Sequence, residues 1–255
     1  MNSSRESVET RGNVSSVKIS DRSKEIILGS LLGDGCLTIS KGYRNARFLF
    51  RHSIVQREYF LWKAKALLEM SAPKSIQIQK PDGWSTNKKL YYYSSVRTSL
   101  TELYHLTHHS GRLVMRKEWL RLLSPLSLLV WWLDDGSLVK NSRQGVFCTE
   151  GFTRPQIAAL SRHLKSTWDI QTHIGRRGKY YQLRIYSTEE LKKFFRLILP
   201  HFAVADMLPK VILGYQDVYL QQRWTSEISK LTGFSPSVIE KYLERKRQKW
   251  KKFRG

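Results

Sequence analysis

The chain has 255 residues, 44 of them Lys or Arg against 21 Asp or Glu, for a formal net charge of +23 at pH 7. With 41% hydrophobic and 25% charged residues it is globular rather than disordered in make-up, and no apolar run reaches the ~20 residues of a membrane span. So large a cationic excess points to a polyanionic partner, nucleic acid before an anionic membrane surface.

Residues 1–22 are polar, rich in Ser and Asn, and carry Glu6, Glu9 and Asp21. They are too acidic for a transit peptide and lack the apolar core of a secretion signal, so a disordered arm is expected and export is not. "IILGSLLGDGCL" (26–37) reads as a helix ending in Asp34-Gly35. "CLTIS" and "ARFLFRHSI" read as a strand pair with Gly42 in the connection. A helix follows in "QREYFLWKAKALLEM", with Tyr59, Trp62, Ala66 and Met70 on one stripe. "KSIQIQK" and "KKLYYYSSVRT" give two more strands, and "TSLTELYHLTHH" a second helix.

The order then repeats. "LLVWWLDDGSL" (128–138) is an apolar helix ending in Asp134-Asp135-Gly136, about a hundred residues after the first such ending. After it come a strand pair around Gly145, then a helix in "TRPQIAALSRHLKSTW" with Thr153 as N-cap and Pro155 in its first turn. A hairpin in "IQTHIGRRGKYYQLRIYS" turns near Gly178, and the helix "TEELKKFFRLIL" stops at Pro200. Beyond about residue 216, "TSEISKLTGFSPSVIEKYLERKRQKWKKFRG" reads as a helix, a turn at Gly233 and a basic helix, with Thr225 and Ser235 as N-caps. Eight Lys or Arg and one acid lie in 241–255. The expected fold is α+β: two pseudo-symmetric αββαββα halves, packed through the two acid-ended helices and each carrying an antiparallel sheet. The expected units are the arm at 1–22, halves at 23–111 and 112–216, and a basic extension at 217–255 that resembles a helix-turn-helix. Cys36 and Cys148 have no metal-binding spacing and suit a reducing compartment.

The doubled motif, its Asp-Gly endings and the element order resemble the single-chain LAGLIDADG homing endonucleases. The nine-residue motif falls on Ile27–Gly35 and Leu128–Gly136, and "SPLSLLVWWLDDGSL" and "LPKVIL" match one branch of that family. The resemblance spans roughly residues 24–215. It implies two motif helices side by side, with Asp34 and Asp135 as catalytic and metal-binding acids, and Mg²⁺ or Mn²⁺ as cofactor. Negative charge at a helix C-terminus opposes the macrodipole, so paired acids there make sense around a divalent cation and a phosphate. Gly33 and Asp134, at the adjoining motif positions, complete the metal site that the resemblance implies. Asp134 aligns with Gly33 and is expected to be a supporting or structural acid. Small residues line the first helix (Gly29, Ser30, Gly33), but Val130, Trp131 and Asp134 stand opposite, so the pseudo-symmetry must be imperfect. The family's basic residue from each half falls on Lys210 and on Arg112, with Arg116 and Lys117 as alternatives; an Arg there could stabilise charge but not act as a base. His52 and Glu150 occupy comparable strand positions and could orient water or DNA.

Strand faces alternate at period two. Lys89, Tyr91, Tyr93 and Arg97 share a face, as do Gln77 and Gln79, and Tyr180, Gln182, Arg184 and Tyr186. Such faces suit base edges and phosphates in a major groove. With Arg44, Arg47 and Arg176, and Lys246 and Lys249 of the tail, they are the expected DNA contacts. The resemblance thus implies a monomeric endonuclease for double-stranded DNA with a long target site. It would reside in an organelle (chloroplast or mitochondrion) or the bacterial cytoplasm, with no membrane partner. The rivals are an intron maturase binding intron RNA on the same fold and a DNA-binding protein without cleavage.

Overall fold

The computed structural model describes residues 18–81, 86–139 and 142–254. Ser20 caps the first helix α1 (Asp21–Ser30) by accepting from Ser23 N. The helix therefore starts within the expected arm, whose last residues form its cap and first turn, while 1–17 lie outside the described residues.

The first half continues with β1 (Gly35–Thr38), β2 (Arg47–Ser53), α2 (Arg57–Ala66), β3 (Ser71–Gln79), β4 (Lys89–Ser94) and α3 (Thr98–Thr107). Its antiparallel sheet has the order β1-β2-β4-β3. A small hairpin, β5 (His108–His109) and β6 (Arg112–Leu113), and a short helix α4 (Lys117–Leu120) lead to the second half. A boundary between 111 and 112 would cut that hairpin. The second half has α5 (Pro125–Asp135), β7 (Gly136–Val139), β8 (Gln144–Phe147), α6 (Arg154–Trp168), β9 (His173–Arg177), β10 (Tyr180–Ile185) and α7 (Thr188–Ile198). Its sheet order, β7-β8-β10-β9, copies the first. Gly145 lies within β8. A 3₁₀ segment, Ala205–Lys210, then leads to α8 (Val218–Thr232) and α9 (Pro236–Arg254).

Local chemistry explains these elements. Thr153 and Gln156 form a reciprocal capping box at α6. Arg177 pairs with Tyr180 across the Gly178-Lys179 turn, where Gly178 takes φ 58°, the backbone a two-residue hairpin favours. Asp217, not Thr225, caps the helix before Gly233: it accepts from Leu220 N, and Thr225 is buried mid-helix. Gly233 ends that helix at φ 77°.

α1 and α5 pack together through the middle of the molecule. A Cβ at Gly29 would stand 2.3 Å from Ser127 O, and one at Gly33 2.5 Å from the Asp134 Cβ. The close approach thus relies on glycines of the first motif alone, and Ser127 Oγ adds a bond to Glu25 O (2.8 Å). The seam is asymmetric as expected. α1 also tightens before its acid, with Leu32 N bonded to Gly29 O and Gly33 N to Ser30 O, whereas α5 runs helical to Asp135. One core, including Trp119, Trp131, Trp132 and Phe147, joins the halves. No described helix is long and apolar enough to cross a membrane.

Candidate active site

The two motif acids sit where the helix ends meet the sheets. Asp34 follows α1 immediately before β1, its side chain 42% exposed. Asp135 is the last residue of α5, half-buried. Burial, then the charges of Asp34 and Asp134, push the Asp135 carboxyl up to about 7, with Glu150 adding a smaller push. Asp34 behaves oppositely. Burial would raise it, but the His52 hydrogen bond and charge, with Lys63 and Lys210, outweigh burial and hold it below the usual carboxylate range. Two neighbouring acids with opposed shifts form a site in which a cation is needed for both to ionise cheaply.

Lys210 supplies one positive charge. Its Nζ donates to Leu133 O (2.5 Å) and Asp134 O (3.0 Å), the terminal carbonyls of α5, and Trp132 Nε1 returns a bond to Lys210 O (3.0 Å). A cation thus meets the negative end of α5 directly. Burial lowers the Lys210 ammonium pKa, against the pull of three nearby acids. Of the expected basic residues, Lys210 lies beside the acids. Arg112 does not: it lies exposed on β6, and neither it, Arg116 nor Lys117 is among the cations that act on Asp34 or Asp135. Arg116 instead donates to His108 O (3.4 Å).

The first half brings a buried cation to the cluster, Lys63 of α2. Its side chain and that of Asp134 are both fully buried, and Lys63 Nζ lies 2.8 and 2.9 Å from the two Asp134 oxygens. Tyr59 Oη donates to Asp134 Oδ1 (2.7 Å), and the ammonium stands over the Phe50 ring at 4.8 Å. Asp34 N donates to Asp134 Oδ2 (3.3 Å). His52 bridges the cluster, Nδ1 3.4 Å from Asp34 and Nε2 3.7 Å from Asp134. Asp34, His52 and Asp134 bring ligand atoms within 4.8 Å of one another. Asp134 already faces a buried ammonium with both oxygens, however. Asp134 is thus held by Lys63 and Tyr59, while Asp34 and Asp135 offer carboxylates, the hard donors Mg²⁺ takes. Gly33 serves the site by admitting Asp134.

His52 has no acidic counterpart in the second half. Gly35 pairs with Phe50 and Gly136 with Phe147, so the equivalent of His52 is Thr149, whose Oγ1 bonds Tyr181 O (2.9 Å). Glu150, one residue on, accepts from Gln182 Nε2 (2.8 Å) and pairs with Arg177 (3.7 Å).

Flanking the acids, each sheet turns one face away from its helices. On the first, Arg47, Arg51, Lys89, Tyr91, Tyr93, Gln77 and Gln79 share that face by register, and the Arg47 guanidinium lies 5.3 Å from the Tyr43 ring. Arg44 is exposed on the β1–β2 connection. Arg51, which alternation along "RFLFR" could have identified, is an addition. Arg97 leaves the row: it follows β4 and its guanidinium donates to Glu69 O (2.5 Å). On the second sheet, Tyr180, Arg184, His173 and Arg177 share the outer face, with Tyr186 exposed beside His173. Arg176 opposes Tyr181 and so belongs to the helix-facing side, donating to Gly178 O (2.9 Å); Arg177 takes the expected place. Gln182 is on the outer face but buried, held between Glu150 and Arg184. Lys246 turns inward, donating to Pro209 O and Ile212 O (both 2.7 Å), which withdraws it from the expected DNA contacts. The Lys249 side chain lies outside the described residues.

The family model "LAGLIDADG DNA endonuclease family" matches residues 24–194. Among curated relatives, "Protein RecA" of Mycobacterium gastri is 29% identical over 203 residues, 72% of this chain and 46% of the relative. The chain thus spans about half the length of the RecA relatives it matches. "DNA endonuclease I-ChuI" of Chlamydomonas applanata is 24% identical, with 78% of this chain and 98% of the relative covered. "Cytochrome b mRNA maturase bI2" of Debaryomyces hansenii is 24% identical, covering 69% and 70%. The fold is that of the homing endonuclease I-WcaI, solved bound to its DNA recognition sequence: TM-score 0.70 at 15% identity, over 78% of this chain and 89% of that one. With its two motif helices packed side by side, its two like sheets and a family match over most of its length, the chain belongs to the LAGLIDADG DNA endonuclease family.

Proposed function

We propose that the chain is a site-specific double-strand DNA endonuclease. Asp34 and Asp135 hold Mg²⁺ or Mn²⁺, and the outer sheet faces read the target. The observation that carries this is the meeting of two carboxylates from two halves beside Lys210, at the focus of two cationic, aromatic-rich sheet faces. A divalent cation bound there would neutralise phosphate charge and supply an activated water. The chain's own residues do the rest. Lys210 lies near three acids and can stabilise charge developing on a phosphate or leaving oxygen. His52 keeps Asp34 ionised and oriented. Arg51, Lys89, Arg177 and Arg184 take phosphates and base edges, with Tyr91, Tyr93 and Tyr180 between them. Both halves lie in one chain, so a monomer suffices.

The test is digestion of a randomised plasmid library. Cleavage at a narrow set of long sequences in Mg²⁺ or Mn²⁺, abolished by EDTA, is expected; undiminished cutting in EDTA would refute the metal assignment. The similarity to a cytochrome b mRNA maturase favours one second reading, intron RNA binding on the same fold. An RNA-binding role alone needs no ionised Asp34–Asp135 pair, so assisted splicing that survives loss of both acids would mark it.

A further inference from the structure

The C-terminal extension reaches the segment around Lys210 through Lys246 and Trp224. Ile239 and Leu243 of α9 face the core, and Lys246, the next position on that stripe, comes down on the chain around Lys210. Its ammonium donates to the carbonyls of Pro209 and Ile212, both at 2.7 Å. From α8, Trp224 Nε1 donates to Val211 O at 3.1 Å. The extension therefore binds three of the four carbonyls between Pro209 and Ile212. The fourth, Lys210 O, is held by Trp132 of α5. Within this segment Val211 N (2.9 Å) and Ile212 N (3.1 Å) return to Leu208 O, and Pro209 has no N–H to give. Groups donated from outside thus help to hold its shape. From it, Lys210 Nζ reaches the last carbonyls of α5, one residue short of Asp135.

We infer that the C-terminal extension is part of the cleavage apparatus: Lys246, braced by Trp224, positions Lys210 at the end of α5. A tail evolved only to tether DNA would keep this cation in solvent. Here it is spent on two carbonyls that flank the site's basic residue. Lys246 is a positioning residue, acting through Lys210, and the inference rests on Lys210 acting in cleavage.

The experiment uses the full-length protein and a plasmid carrying a target selected from the library, with Lys246→Met, Lys246→Arg and Lys210→Met. Lys246→Met should slow single-turnover cleavage about ten- to a hundredfold, the cost of a misplaced catalytic group, with affinity for the target in Ca²⁺ unchanged. Lys246→Arg, which can donate to both carbonyls, should recover most of the rate. Hydrogen exchange at the Val211 and Ile212 amides should quicken in Lys246→Met and return with Arg. Wild-type cleavage and exchange in Lys246→Met, beside an impaired Lys210→Met, would overturn the inference. So would a loss of affinity with the salt slope falling by about 0.9 log unit, which would make Lys246 a phosphate contact. Full activity in Lys210→Met would instead defeat the functional reading of Lys210, while the exchange data still decide whether Lys246 holds the segment. If Lys246→Met does not fold, Trp224→Phe, which removes the donor to Val211 along with part of a buried ring, carries the same expectations, with the denaturation midpoint measured alongside to separate the lost donor from the lost ring volume.

Discussion

Replacing Asp135 by Asn should stabilise the protein in the absence of metal. The carboxyl is raised from 3.8 to about 7, first by burial and then by Asp34 and Asp134, so the folded state binds this proton more tightly than the unfolded chain does. The penalty is absent below about pH 4, grows as pH rises and is complete above about pH 7. At roughly 1.4 kcal/mol per tenfold, its ceiling is about 4 kcal/mol. Asp135 is only half-buried, and solvent screening reduces this to about 1–2 kcal/mol. For a chain of this size that is a rise in Tm of roughly 2–8 °C. Thermal melts of wild type and Asp135→Asn in EDTA at pH 5 and pH 8 measure it directly. The variant should melt higher at pH 8, with a smaller gap at pH 5, and added Mg²⁺ should raise the wild type more than the variant. An Asn variant no more stable than wild type at pH 8, or ahead by the same margin at both pH values, would refute the electrostatic account of the site.

Lys63→Met should cost about 3–5 kcal/mol, because it strands the fully buried Asp134 carboxylate; chemical denaturation reads this, and Lys63→Met with Asp134→Leu should recover much of it. By the same contact, Asp134→Asn should destabilise the fold through unpaired Lys63 while leaving the cleavage acids in place. His52→Gln should slow one strand more than the other, since Thr149 replaces His52 in the second half; nicked circles should accumulate from a supercoiled target plasmid, whereas equal slowing would deny the asymmetry. Arg177→Ala should weaken target binding by about 1–3 kcal/mol if it reads a base and less if it meets only phosphate, while Arg176→Ala, on the helix-facing side, should leave affinity near wild type in the same titration.

The features legible in the sequence were those set locally. Period-two faces, the Thr153 cap, the Gly178 and Gly233 turns and the doubled Asp-Gly endings each depend on a few neighbouring residues, and each stands in the structure. Lys63 was not legible, since it looks like an ordinary helix cation. Its partner Asp134 lies far along the chain, and the one local hint is that Lys63 falls i+4 from Tyr59 on the buried side of α2. Arg112 stands apart from the acids because the halves diverge after their last helix: the first forms the β5–β6 hairpin and the second a 3₁₀ segment, so counting residues across the repeat does not carry a position there. Arg176 and Arg177 exchange roles through strand parity, which becomes readable once the hairpin turn is fixed at Gly178-Lys179. Lys246 sits three residues beyond Leu243 on the apolar stripe of α9, a spacing that marks it as inward-facing despite its basic neighbours.

The central claim is that Asp34 and Asp135 act together at one nuclease site. The most direct measurement is a cleavage time course on supercoiled target plasmid in Mg²⁺ for wild type, Asp34→Asn and Asp135→Asn, with a binding titration in Ca²⁺ alongside. Each variant should bind the target at least as tightly as wild type, because each loses a negative charge beside phosphate, and neither should produce linear DNA. Linear product at the wild-type rate from both variants would contradict the account.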